Sequence, residues 1–118
     1  MIKFYETIPE EFRVDSLNVV LGQRAMTKEH FLEKIGEKLH FPDYYGKNWD
    51  ALDECLCDLS WIQSKVVRLV FLHLPLEDKE ELKTLLEILA HAKMVTKEFG
   101  IELEVIFPEK ERKTLTSL

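Results

Sequence analysis

The segment Val66-Val67-Arg68-Leu69-Val70-Phe71-Leu72 is almost continuously apolar. A strand of this kind has to be covered on both faces, which points to a parallel sheet with helical crossovers. Leu17-Asn18-Val19-Val20-Leu21, closed by Gly22, reads as a second buried strand. Ile101-Glu102-Leu103-Glu104-Val105-Ile106-Phe107 alternates over most of its length, so a last strand with one more polar face is expected.

Helical signals fill the intervals. Thr27 is placed as an N-cap, with Glu29 in the first turn, and Phe31, Leu32, Ile35 and Leu39 share one helix face until Pro42 stops the run. A second helix begins near Asn48 and ends near Leu59 or Ser60. In Asp78-Lys79-Glu80-Glu81 an N-cap precedes an acid three residues later. Leu82, Leu85, Leu86, Leu89 and Ala92 continue at helical spacing, and Gly100 is a natural stop. The order β-α-α-β-α-β predicts an α/β fold with a small three-stranded parallel sheet and helices packed on it.

A length of 118 residues suits one domain, with its core at about 15–108. Residues 1–14 read as an N-terminal extension, in which Ile2, Phe4 and Tyr5 either add a short strand or lie over the surface. Residues 109–118 read as a frayed tail.

Charge is distributed unevenly along this frame. Phe41–Leu59 holds five carboxylates (Asp43, Asp50, Asp53, Glu54, Asp58) and one cation, Lys47, and so carries four of the chain's six net negative charges. Asp50, Glu54 and Asp58 stand at i, i+4 and i+8, which makes one stripe with Asp53 beside it. Like charges at this spacing weaken an isolated helix by a few tenths of a kcal/mol per pair, so stability alone does not select them. Tyr44, Tyr45 and Trp49 flank the stripe and offer stiff contact area with polar tips. Gly46 is placed as a point of sharp turning or close approach. Carboxylates beside exposed aromatics suit the grip of a basic surface. An overall charge of −6 and a pI near 5.2 argue against nucleic acid as the direct ligand.

The run Pro42-Asp43-Tyr44-Tyr45-Gly46-Lys47-Asn48-Trp49-Asp50-Ala51-Leu52-Asp53-Glu54-Cys55-Leu56 resembles the signature of the barstar family, intracellular inhibitors of ribonucleases. That pattern is Pro, an acid, Tyr-Tyr-Gly, any residue, Asn, any residue, Asp-Ala-Leu, any residue, Asp, Cys, Leu. The element order of residues 17–107 fits that fold as well. The resemblance implies a protein that binds a basic nuclease one to one, as a monomer, without cofactor or chemistry. Tyr44, Gly46, Asn48, Trp49, Asp50 and Glu54 would line the inhibitory face, with Tyr45 and Asp53 adjoining. Asp50 and Glu54 would enter the cationic cleft where substrate phosphate belongs.

The chain departs from the pattern at several places. Glu54 stands where the family has Asp, and Asp53 stands where the best-known member has an aromatic. The family's acidic contact on the last helix maps to Glu87, His91 or Glu98, depending on gaps. Trp61 takes the place of an interface tryptophan only with a two-residue insertion. An adapter that binds a basic partner other than a nuclease is the alternative reading.

Other chemistries find little support. Asp50, Asp53, Glu54 and Asp58 do not converge from one straight helix, and no EF-hand spacing occurs, so no metal site is expected. His30, His40, His73 and His91 lack ligand spacing and read as surface or satisfied histidines. Cys55 and Cys57 project about 200° apart on a helix and read as reduced structural thiols. There is neither a G-x-S-x-G motif nor a phosphate loop, so an enzyme is not expected. No apolar run approaches the roughly 20 residues of a membrane span, and Met1–Thr7 lacks the apolar stretch of a signal peptide. A cytoplasmic location is therefore expected.

Overall fold

The computed structural model describes residues 2–7, 16–22 and 26–118. Residues 1 and 8–14 of the expected N-terminal extension, and residues 15 and 23–25 of the expected core, lie outside the described residues. The elements are β1 (Lys3–Tyr5), β2 (Ser16–Leu21), α1 (Lys28–Lys38), α2 (Trp49–Asp58), β3 (Val66–Phe71), α3 (Lys79–Glu98), β4 (Glu102–Pro108), a 3-10 turn (Glu109–Glu111) and α4 (Arg112–Thr116). The sheet has four parallel strands in the order β1-β4-β3-β2.

The expected three-strand sheet therefore needs correction. Lys3–Tyr5 pairs in register with Ile106–Pro108, which moves β4 from the edge to the interior of the sheet. Three residues are too short for a periodic signal, so the local sequence left this segment undecided. The interior position of β4 also changes its polar face. Every residue of the strand after Glu102 is buried, including Glu104 at 6% exposure. Glu104 sits opposite Arg68 in the β3–β4 register. Its carboxylate accepts from Arg68 Nε at 2.6 Å and from Lys3 Nζ at 2.9 Å, and Arg68 Nη1 also donates to Ser16 and Asn18. Burial pushes the Glu104 carboxyl up, but the hydrogen bonds and charges of Lys3 and Arg68 outweigh it and hold the group below its ordinary value.

Strand β3 is covered on both faces, as its composition requires. Val66 and Val70 are buried on one face, while Val67, Leu69 and Phe71 enter the main core on the other. That core also takes Val19 and Leu21 from β2, and Leu103, Val105 and Phe107 from β4. The rings of Phe71 and Phe107 stack at 4.3 Å.

The tail also differs from expectation. Residues 109–116 form the 3-10 turn and α4, and Leu115 is buried in the core. Arg112 lies over the ring of Phe4 at 4.2 Å and makes two hydrogen bonds to Glu109. Side chains of β1 thus give the tail something to pack on, and that partner is more than 100 residues away in sequence.

Helix boundaries follow the caps. Thr27 Oγ1 accepts from His30, and the Asp78 carboxylate accepts from Glu80 and Glu81. Gly100, at φ 82°, closes α3: its N–H donates to Lys97 O and that of Ile101 to Thr96 O. The same pair of bonds ends α1 around His40, at φ 55°, before Pro42 is reached. Among the described residues no helix is long and apolar enough to cross a membrane.

Candidate functional site

Helix α2 presents the acidic stripe. Asn48 Oδ1 accepts from Ala51 N–H at 2.8 Å, satisfying one of the otherwise unpaired first-turn donors. Leu52, Cys55 and Leu56 are buried, as is the C-cap Leu59, and the helix packs along α3. The opposite face leaves Asp50, Glu54 and Asp58 exposed. No basic residue lies in the last turn to balance them. Tyr44 stands beside the stripe at 67% exposure. Partial desolvation, then the charges of Cys55, Asp58 and Glu54, push its phenol above the ordinary value.

The other aromatics sit differently. Tyr45 is half-buried: its hydroxyl donates to Leu32 O at 2.9 Å and its ring meets Phe41 edge-on at 4.7 Å. Burial, and to a lesser degree Cys55, raises its pKa well above the usual phenol value. The ring of Trp61 also meets Phe41 edge-on, at 5.8 Å, and Trp61 Nε1 donates to Leu39 O at the C-cap of α1. Tyr45, Phe41 and Trp61 thus fasten the end of α1 to the two loops that flank α2. Trp49 is half-buried against the core. Each of Tyr45 and Trp61 spends its polar group inside the fold and keeps only part of its ring at the surface.

Gly36 makes room for this row. A Cβ there would lie 2.7 Å from Tyr45 Cε2, and the ring is already held by Phe41. Gly36→Ala gains about 1 kcal/mol of helix propensity, but overpacking against a fixed ring costs about 1–3 kcal/mol. The expected net result is a loss of about 1 kcal/mol, measured as a lower urea midpoint with unchanged slope.

Gly46 is exposed, and the left-handed turn before α2 falls at Lys47, φ 54°, rather than at the glycine. A Cβ on Gly46 would come within 3.3 Å of Asn48 Nδ2, so the glycine keeps the cap side chain unobstructed.

Asp53 is drawn away from the stripe. His91 Nδ1 on α3 lies 2.8 Å from Asp53 Oδ1, and Cys57 Sγ lies 3.7 Å from that oxygen and 3.6 Å from the same nitrogen. The Cys57 thiol is pushed up to about 11 by burial, then by the charge of Asp53 and the hydrogen bond to it. This is not a nucleophile relay, in which the base uses one ring nitrogen for the thiol and the other for the acid. Here a single nitrogen faces both partners, and the thiol is held protonated. Sequence spacing gave no hint of the cluster, because His91 lies on another helix. Only the i, i+4 placement of Asp53 and Cys57 was visible.

A groove of about 980 Å³ runs from the end of α2 to the α3–β4 turn, lined among others by Glu54, Asp58, Ile62, Lys65 and Phe99. Phe99 is 73% exposed at the C-cap of α3. Sequence reading passed over it because a residue before a stop glycine carries no periodic signal.

A family model described as Barstar (barnase inhibitor) matches residues 17–108. The chain belongs to the barstar family. The matched span runs from β2 through β4, so β1 and α4, which meet through Phe4 and Arg112, lie outside it. Barstar is by its description an inhibitor of barnase, and the acidic helix, Asn48 cap and Tyr44–Tyr45 loop all fall within the matched residues. A search of the curated proteins finds no match.

Proposed function

We propose that this barstar-family chain is a cytoplasmic inhibitor of a basic nuclease, acting as the immunity or antitoxin partner of a toxic or secreted enzyme. The reading is supported most by one feature: Asp50, Glu54 and Asp58 stand exposed along one face of a capped helix, with Tyr44 exposed beside them. A rigid row of carboxylates imitates the spacing of charge on an RNA backbone, and a cleft that binds phosphate through Arg and Lys accepts it. Asp50 and Glu54 enter that cleft and exclude substrate by charge and bulk. Asn48, Gly46 and Trp49 shape the rim, and the exposed parts of Tyr45 and Trp61 extend the contact. Asp53 contributes less than its neighbours, because His91 already engages its carboxylate.

The expected result is a one-to-one complex with a basic nuclease, with loss of nuclease activity at stoichiometric inhibitor. The association rate falls as salt rises from 0.05 to roughly 0.5 M, because screening shortens the reach of the stripe to a few ångströms. Stopped-flow mixing at several ionic strengths measures this. A salt-independent rate would remove the electrostatic mechanism. A dominant cellular partner without nuclease activity would favour an adapter.

A further inference from the structure

We propose that Asp53, Cys57 and His91 form a zinc site that bridges α2 and α3, a binding activity separate from nuclease inhibition. One ligand atom from each residue (Oδ1, Sγ, Nδ1) lies within 4.8 Å of the other two. Zinc takes sulfur at about 2.3 Å and nitrogen or oxygen at about 2.0–2.2 Å in tetrahedral array, which sets sulfur about 3.6 Å from its neighbours and nitrogen about 3.3 Å from oxygen. The observed 3.6 Å from Sγ to Nδ1 and 3.7 Å from Sγ to Oδ1 already match. Only the Nδ1–Oδ1 pair, at 2.8 Å, has to open, by about half an ångström.

The side chains can make that adjustment and a cation can reach them. The His91 side chain is 57% exposed and that of Asp53 37%, while Cys57 is partly covered at the inner side of the cluster. The donor set is one thiolate, one imidazole and one carboxylate. Sulfur rejects the hard cations Mg²⁺ and Ca²⁺, and the mixed set suits zinc or its spectroscopic substitute Co²⁺. On binding, Cys57 releases its thiol proton to solvent and the metal replaces it, which reverses the effect of the neighbouring carboxylate on that thiol. Water completes the coordination, since three protein ligands leave one position open.

Cobalt titration of the purified full-length chain tests this without any nuclease. The expected result is a thiolate-to-cobalt charge-transfer band that saturates at one equivalent and is displaced by one equivalent of zinc but not by millimolar Ca²⁺. Cys57→Ser abolishes the band, Cys55→Ser retains it, and His91→Ala weakens zinc binding at least about tenfold. Far-ultraviolet circular dichroism confirms that each variant is folded. The absence of the band at saturating cobalt would overturn the proposal. So would its persistence in Cys57→Ser, unchanged affinity in His91→Ala, or displacement by Ca²⁺, since a hard cation does not compete for a site built on a thiolate.

Discussion

Replacing Asp50 and Glu54 together by Ala is expected to weaken the complex with a basic nuclease by about 4 kcal/mol, roughly a thousandfold in Kd. Each carboxylate is assigned about 2 kcal/mol, the lower end for a charged pair desolvated at the centre of an interface. The fold should tolerate both changes. Both residues are exposed, and removing two like charges at i, i+4 returns a few tenths of a kcal/mol to the helix. Asp50 gives up a favourable first-turn position worth about 0.3–1 kcal/mol, so the two effects nearly cancel. Thermal unfolding should therefore stay within a few degrees of the parent while inhibition is lost. Titrating nuclease activity against the single and double variants measures the effect. Full inhibition by the double variant at stoichiometric concentration would sink the assignment of these residues. Asp53→Ala provides the contrast: its carboxylate faces His91, so its effect on binding should be several-fold smaller.

How much of this site could be read from the chain depends on whether its signals were local. The stripe was legible because residues four apart on a helix share a face wherever the helix packs. Caps at Thr27 and Asp78 were legible for the same reason, since each bond spans two or three residues, whereas Asn48 was legible only as the approximate start of α2. The role of Tyr45 was not. Its hydroxyl reaches back thirteen residues to Leu32, and the space for its ring depends on Gly36 lacking a side chain. Trp61 likewise completes a carbonyl twenty-two residues earlier. His91 joins Asp53 across thirty-eight positions, and Lys3 joins Glu104 across one hundred and one. The family pattern could not reveal that last pair, because β1 lies outside the matched span. The polar face of β4 was legible as alternation, but its burial depended on β1, whose three residues are too few to decide between a strand and a surface segment.

The buried Arg68–Glu104 pair gives the second large effect. Glu104→Gln is expected to destabilise the fold by about 3 kcal/mol, or about 10–15 °C in Tm for a domain of this size. The amide keeps the shape but removes the charge, leaving the Arg68 guanidinium, 11% exposed, without a counter-ion. Ser16 and Asn18 still accept from Arg68 Nη1, which keeps the loss below that of a fully stranded charge. Replacing both partners by Leu should cost less than Glu104→Gln alone, since no charge is then left buried. The pH dependence follows from the direction of the shift. The folded carboxyl titrates below its ordinary value of 4.5, so its contribution is complete above that value and is lost as pH falls through the lower folded one. The parent should therefore lose stability on acidification below about pH 4.5, and Glu104→Gln should flatten that part of the profile. Urea midpoints measured from neutral pH down to about pH 3 would show both effects. A Gln variant as stable as the parent at neutral pH would mean that the ion pair only offsets its own desolvation, leaving the register of β3 and β4 to the apolar contacts around it.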